Sequence, residues 1–299
     1  MHKEDPNTLV FTNKKAPRDL TSFLREKGLS GRMIRRALIN GDISMGDSTC
    51  KGGEIVPMDR QVCIRLADED SDMKPQKMQL EIIYEDMDLL VLNKEPFTLV
   101  HPTPNHPDGT LSNGVASYFL ECGLKRKVRI LNRLDRDTSG IIIFPKNSFG
   151  HQQLAAQMEH DKVVKKYLAI VHGNITKDWG EINLALGKGE DGIRQVVRDD
   201  GAEAVTRFKV LERVGEGTLV ELELLTGRTH QIRVHLSHMG YPIMGDHLYS
   251  HGESHIDRQA LHAYGMSFVS PRTDEMISLH AEMPEDMKNL LNFLKSSKI

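Results

Sequence analysis

Residues 68–78, DEDSDMKPQKM, limit the fold of this chain more than any other stretch. They are polar, net acidic, interrupted by a proline and without hydrophobic period, so they offer no face to a core and read as an interdomain linker. The 299 residues then divide into a small unit, 1–67, and a larger one, 79–299. A chain of this length buries a sizeable core without disulfide or metal staples.

Charge divides along the same line. Between Lys14 and Arg36 stand eight basic and two acidic residues, a net +6, against −3 for the whole chain and so −9 for the remainder. The near-neutral total argues against a polyanionic partner only until it is resolved into a basic module on an acidic body. Within the module, Asp19 is placed to cap a helix burying Leu20, Phe23 and Leu24 and ended by Gly28. Ser30 then caps a second helix with an apolar stripe of Ile34, Ala37 and Leu38, stopped by Asn40-Gly41. Arg32, Arg35 and Arg36 fall on a different face of that helix, where a solvated surface is the ordinary reading and phosphate binding the functional one. Short strands follow around Ile43, Ile55 and Ile64.

Several classes drop out. Hydrophobic residues are 39% and charged residues 27%, the balance of a globular protein. No apolar run approaches the ~20 residues that cross a bilayer. The first residues, MHKEDP, carry mixed charge where a secretory leader needs an apolar stretch, so a cytoplasmic location is expected. Cys50, Cys63 and Cys122 form no Cys-x-x-Cys pair, and neither a disulfide framework nor a cysteine zinc site is indicated.

After residue 79 the pattern predicts β-strands at 82–84, 89–92, 141–144, 167–171 and 220–225, and helices at 111–120, 149–158, 230–239 and 285–294. The alternation is irregular and lacks the glycine-rich first turn of a dinucleotide-binding unit, which favours an α+β domain with a largely antiparallel sheet.

Two segments are dense in chemistry. In NRLDRDTSG, from Asn132, four Arg or Asp residues occupy five positions beside an apolar strand. Asp135 alone would read as a turn former, but this crowding requires pairing or solvent. In GRTHQIRVH, from Gly227, the glycine permits a tight turn, and Arg233 adjoins the apolar stripe Ile232, Leu236 and Met239. His230, His235 and His238 raise the alternative of a metal site, but no His-Glu-x-x-His arrangement or nearby cysteine supports it, and no metal is expected.

These segments, with KKYLA from Lys165, His101-Pro102, Gly245-Asp246 with Tyr249, and RQALHA from Arg258, occur in the order of the RluA-type pseudouridine synthase family, which the chain resembles from about Ile82 onward. The run DLTSFLREKGLSGRMIRRALINGDISMGD resembles the S-four-type RNA-binding domain that many members carry ahead of the catalytic domain, with Met45-Gly46 departing at the hairpin tip. The expected architecture is therefore α+β, with a small N-terminal RNA-binding domain (1–67), the linker (68–78) and a catalytic domain with a largely antiparallel mixed sheet (79–299).

The resemblance implies isomerisation of uridine in structured RNA without a cofactor, by a monomer, with ribosomal RNA ahead of transfer RNA as substrate. It implies catalytic roles for Asp135 as the essential carboxylate, Tyr167 as the residue packing on uracil and Arg233 as the partner of Asp135. Arg133 would lean into the RNA where the uridine has been extruded, an extrusion that costs a few kcal/mol. Arg32, Arg35, Arg36, Lys125, Arg126 and Arg228 are expected to bind RNA. One carboxylate suffices where glycosidases use two, because nothing leaves and no water is activated. Asn132 stands where the family usually has histidine; asparagine carries no charge, so no proton role is expected there, and catalysis is expected to survive. A non-catalytic RNA-binding protein of the same fold would have lost Asp135, Tyr167 or Arg233, and all three are present.

Overall fold

The computed structural model describes residues 7–252 and 255–296. The MHKEDP residues and the outermost ends of the two expected units lie outside the described residues.

In the N-terminal unit β1 (Thr8–Thr12) and β2 (Arg18–Asp19) precede α1 (Leu20–Glu26) and α2 (Gly31–Asn40), followed by β3 (Ile43–Met45), β4 (Ser48–Thr49), β5 (Ile55–Val56) and β6 (Gln61–Arg65). The caps are those the sequence predicts. The Asp19 carboxylate accepts from Ser22 N at 2.8 Å, the Ser30 hydroxyl accepts from Met33 N at 3.3 Å, and Gly41 ends α2 at φ 72°. A sheet in the order β1-β6-β3-β4 packs on the helices around Leu9, Leu20, Leu24, Ile34 and Ile64. Arg32, Arg35 and Arg36 are exposed.

Residues 68–78 form no helix or strand and lie along the larger unit. Glu69 N donates to Lys125 O at 3.0 Å, the Asn113 amide donates to Lys74 O at 2.8 Å, and Met78 packs on the cluster around α3 (introduced below).

The larger unit begins with β7 (Ile82–Glu85), β8 (Leu89–Lys94) and α3 (Leu111–Glu121). Next come β9 (Ser139–Pro145), α4 (Ser148–Glu159) and β10 (Val164–His172). Then β11 (Trp179–Asn183), β12 (Leu186–Lys188), β13 (Gln195–Val197), β14 (Val205–Val214) and β15 (Gly217–Leu224) lead to α5 (Gln231–His238). The chain closes with β16 (Leu261–Val269), β17 (Met276–His280) and α6 (Glu285–Ser296). Nine strands form one sheet in the order β11-β14-β15-β10-β16-β9-β8-β7, with β17 added to β16. Every pairing is antiparallel except β16 with β9, so the largely antiparallel mixed sheet expected from sequence is present.

That parallel contact sets the geometry of the site. It joins His262 to Ser139 and Ala263 to Gly140 at the start of β9, directly after the charged loop. Gly140 has φ 114°, and a Cβ there would stand 2.3 Å from the Ala263 carbonyl oxygen. Only glycine lets the two backbones approach so closely. The fully buried Phe149 of α4 completes the N-terminal core, with its ring 6.0 Å from that of Phe11, and Gln152 and Gln153 both donate to Gly28 O.

Candidate active site

Asp135 opens a backbone turn closed by Thr138 N donating to Asp135 O at 3.1 Å, so the turn is made by main chain and the carboxylate is left free of it. The loop is held from several directions. Arg258 donates to Asp137 O, the Gln259 amide to Thr138 Oγ1, and the Lys94 ammonium to Arg136 O at 2.8 Å. Asn132 spans the edge of β9, its amide donating to Ile141 O at 3.1 Å and its oxygen accepting from Ile143 N at 2.9 Å. The asparagine is thus fully engaged as a strand-like bridge, which accounts for its presence without any charge.

Tyr167 lies on β10, paired with Leu222 of β15, at a register shift between β10 and β16. Such irregularities re-aim a side chain out of the regular pleat. Its ring is buried, and burial, reinforced by the Asp135 charge, pushes the phenol well above its ordinary value. It is a neutral hydroxyl at physiological pH.

Arg233 projects from α5 and joins two carboxylates. Its Nη1 donates to Asp135 Oδ2 at 2.8 Å, while Nε and Nη2 form a bidentate pair with Asp246 at 2.7 and 2.8 Å. The Arg233 side chain is 6% exposed, Asp246 0% and Asp135 29%, so Asp135 is the only one of the three open to the cleft. Burial works against the guanidinium charge, but hydrogen bonds to Asp246 and the nearby charges of Asp246 and Asp135 outweigh it and keep Arg233 protonated.

A third group faces the same carboxylate. His230, at φ 56°, precedes α5 in the left-handed region, and its Nε2 lies 3.8 Å from Asp135 Oδ2. Its Nδ1 meets the Tyr249 hydroxyl at 2.9 Å, and that hydroxyl accepts from Gln195 N at 2.8 Å. The tyrosine hydroxyl thus anchors the imidazole through Nδ1, with Nε2 facing Asp135. Burial lowers the His230 pKa, with Asp135 opposing, so the ring is neutral. The guanidinium of Arg233 also lies 5.1 Å from the centre of the Tyr249 ring.

Asp135, Tyr167, His230 and Arg233 line one cleft of about 490 Å³, together with His101, Asn132, Arg133, Lys165, Arg228 and Leu261, while Asp246 and Tyr249 are not part of its lining. The structure brings Asp135, Tyr167 and Arg233 together, as the sequence predicts, with Arg133 and Arg228 exposed at the rim. Lys125 is exposed but outside the cleft lining. Arg126 is a correction: it is 5% exposed, and its guanidinium donates to Ala67 O and Asn7 Oδ1, so its charge is used within the protein rather than offered to phosphate. Gly227 is a second. It has no positive φ and open space where a Cβ would stand, and the left-handed residue of this loop is His230. The three histidines do not share a partner: His230 meets Tyr249, both ring nitrogens of His235 are taken by Thr206 and Leu184, and His238 is exposed. Among the described residues no three His, Cys, Asp or Glu side chains converge as a metal cluster would require.

Asp246, His230 and Tyr249 were not assigned roles from the sequence, although Gly245-Asp246 and Tyr249 belong to the ordered motifs. Their signal lay in spacing that carries no contact information.

An antiparallel mixed sheet with a single aspartate, a doubly held arginine and a buried tyrosine in one cleft agrees with the comparisons. The family model for RNA pseudouridylate synthase matches residues 88–238. The uncharacterized RNA pseudouridine synthase YlyB of Bacillus subtilis is 37% identical over 278 residues, 91% of this chain and 92% of that one. Ribosomal large subunit pseudouridine synthase D of Yersinia pestis is 34% identical over 277 residues, covering 87% and 83%. A solved structure of human RNA pseudouridylate synthase domain containing 1 superposes with a TM-score of 0.57 at 25% identity, covering 75% of this chain and 98% of that one. The chain belongs to the RluA-type RNA pseudouridylate synthase family. It is an RNA pseudouridine synthase, an isomerase acting on RNA.

Proposed function

We propose that this enzyme converts uridine to pseudouridine in large-subunit ribosomal RNA, with Asp135 as the essential carboxylate and the target base turned out of the RNA into the cleft. The observation that carries this reading is the convergence of Asp135, Tyr167 and Arg233 in one open cleft, with Arg233 anchored on the buried Asp246. The choice of ribosomal RNA rests on the relatives that carry large-subunit synthase names.

In this mechanism the N1–C1′ bond of uridine breaks as Asp135 attacks C1′, or as it removes the neighbouring sugar proton to give a glycal. Uracil turns on the face of Tyr167 and C5 bonds to C1′ as the Asp135–C1′ bond breaks or, from the glycal, as Asp135 returns the sugar proton; the C5 proton then leaves and N1 gains one, so substrate and product have the same atoms. Arg233, fixed by Asp246, holds the carboxylate at the anomeric centre. Tyr167, a neutral phenol, packs on the ring, and any proton it passes on is matched by one it receives. Arg133 fills the space vacated by the base. The exposed arginines of α2, with Lys125 and Arg228, contact phosphates and set the register. No helix among the described residues is long and apolar enough to cross a membrane. The enzyme acts as a monomer in the cytoplasm, where this RNA resides.

The test uses purified enzyme and unmodified large-subunit ribosomal RNA carrying tritium at uridine C5. Wild type releases tritium and Asp135→Asn releases none. Turnover by Asp135→Asn would overturn the assignment, and no release by wild type would overturn the substrate.

A further inference from the structure

Five non-glycine residues among those described have positive φ: Asp59, Phe97, Asp161, His230 and Asp274. Aspartate tolerates this region because its short polar side chain bonds nearby backbone, and His230 belongs to the active site. Phe97, at φ 63°, has neither excuse. A bulky apolar residue there is a true outlier, and such strain persists where the surroundings enforce it. Burial does not offset it, since the side chain is 56% exposed.

What enforces the conformation is Lys94. Its ammonium is buried and donates to Glu95 O at 2.8 Å and Thr98 O at 3.0 Å, clasping both ends of the turn that carries Phe97. The third bond goes to Arg136 O at 2.8 Å, the residue after Asp135. One amine therefore ties the Phe97 turn to the loop that carries Asp135. Two residues further on, Leu99 and then Val100 and His101 line the cleft, and Arg133 and Arg136 stand exposed beside Asp135. The exposed Phe97 therefore stands on a turn fixed to the loop of Asp135 and continuous with residues that line the cleft.

We propose that Phe97 is a stacking platform for the nucleobase adjoining the extruded uridine. Extrusion leaves a neighbouring base with an open face, and single unstacked bases in RNA are held by aromatic rings irrespective of sequence. The arginines attract the phosphates on either side, while Phe97 takes the base and keeps the flanking nucleotide from following the uridine. It is a positioning residue, remote from the bonds that change, and its role rests on the reading of the cleft as the uridine site.

The test compares wild type, Phe97→Gly and Phe97→Trp on unmodified large-subunit ribosomal RNA transcribed in vitro. Phe97→Gly relieves the backbone, so it should unfold at a higher urea concentration than wild type, yet raise KM on the order of tenfold, about 1.4 kcal/mol of binding, with a smaller change in kcat. Phe97→Trp keeps an aromatic face and should restore KM to within about threefold of wild type. Wild-type KM in Phe97→Gly, or equal losses in both variants, overturns the stacking role while leaving the uridine site intact. If wild type forms no pseudouridine in that RNA, the reading of the cleft falls and this inference with it.

Discussion

Replacing Asp246, by alanine and by asparagine, is the most informative perturbation of the buried charge system. Arg233 makes two of its three carboxylate bonds to Asp246 and only one to Asp135, and the Asp246 carboxylate also accepts from Leu248 N and Tyr249 N at 3.0 and 3.2 Å. Both members of the pair are almost wholly removed from water. Breaking such a pair leaves the buried cation with the Asp135 carboxylate alone and costs about 3 kcal/mol of folding stability, the low end for a broken buried pair. Asp246→Asn keeps the volume and one acceptor, and loses roughly half as much, on the order of 2 kcal/mol. The guanidinium, held then by Asp135 alone, follows that carboxylate rather than fixing it, and a displacement near 1 Å at a reacting group costs on the order of 10²-fold in rate. Urea unfolding and tritium release from uridine-labelled RNA read the two effects. The expected pattern in Asp246→Asn is a large fall in kcat with KM within a few-fold, because no RNA contact is assigned to Asp246. Wild-type kcat in a stably folded Asp246→Asn would refute the view that Asp246 positions the catalytic ion pair.

Three further outcomes follow from the structure. His262 is buried between the Ser139 hydroxyl and Ala281 O, and burial pushes its pKa down to about 4. The unfolded chain then takes up a proton below its ordinary 6.5 while the folded one does not, so this site contributes stability that is lost as pH falls from about 6.5 to about 4. At pH 5 the loss is roughly 2 kcal/mol relative to pH 7, and a His262→Gln variant whose urea midpoint falls as steeply with pH would contradict it. Gly140→Ala forces a Cβ against the Ala263 carbonyl and should cost about 2–3 kcal/mol; an unchanged urea midpoint would refute the close approach of β9 to β16. Replacing Arg32, Arg35 and Arg36 together by alanine should flatten the dependence of log affinity on log salt by about 2 to 3, at ~0.7–0.9 per lost phosphate contact, and an unaltered slope would remove α2 from the interface.

Much of this was legible in the sequence because the signals are local. Ser30 and Gly41 bracket α2 by cap chemistry, and the apolar run 141–144 can only be a buried strand or helix core, here the fully buried β9. The strands between residues 179 and 214 escaped, since β11 and much of β14 are exposed on one side and carry charge, which hides their alternation. Arg126 misled for a related reason: a basic run Lys125-Arg126-Lys127 in extended chain sends its middle side chain to the opposite side, and charge alone does not say which side is covered. Asp135, Tyr167 and Arg233 were found through ordered motifs. Asp246, Lys94 and Phe97 were not given roles, because a buried anchor and a clasped turn exist only once segments more than ten or forty residues apart meet.

The most direct test of the central claim is a pseudouridine map of ribosomal and transfer RNA from cells whose only copy of this gene carries Asp135→Asn, set against wild type. Loss of one or more pseudouridines from large-subunit ribosomal RNA, with the remaining positions intact, is the predicted result. Identical maps would contradict an essential carboxylate at Asp135, and loss confined to transfer RNA would contradict the proposed substrate.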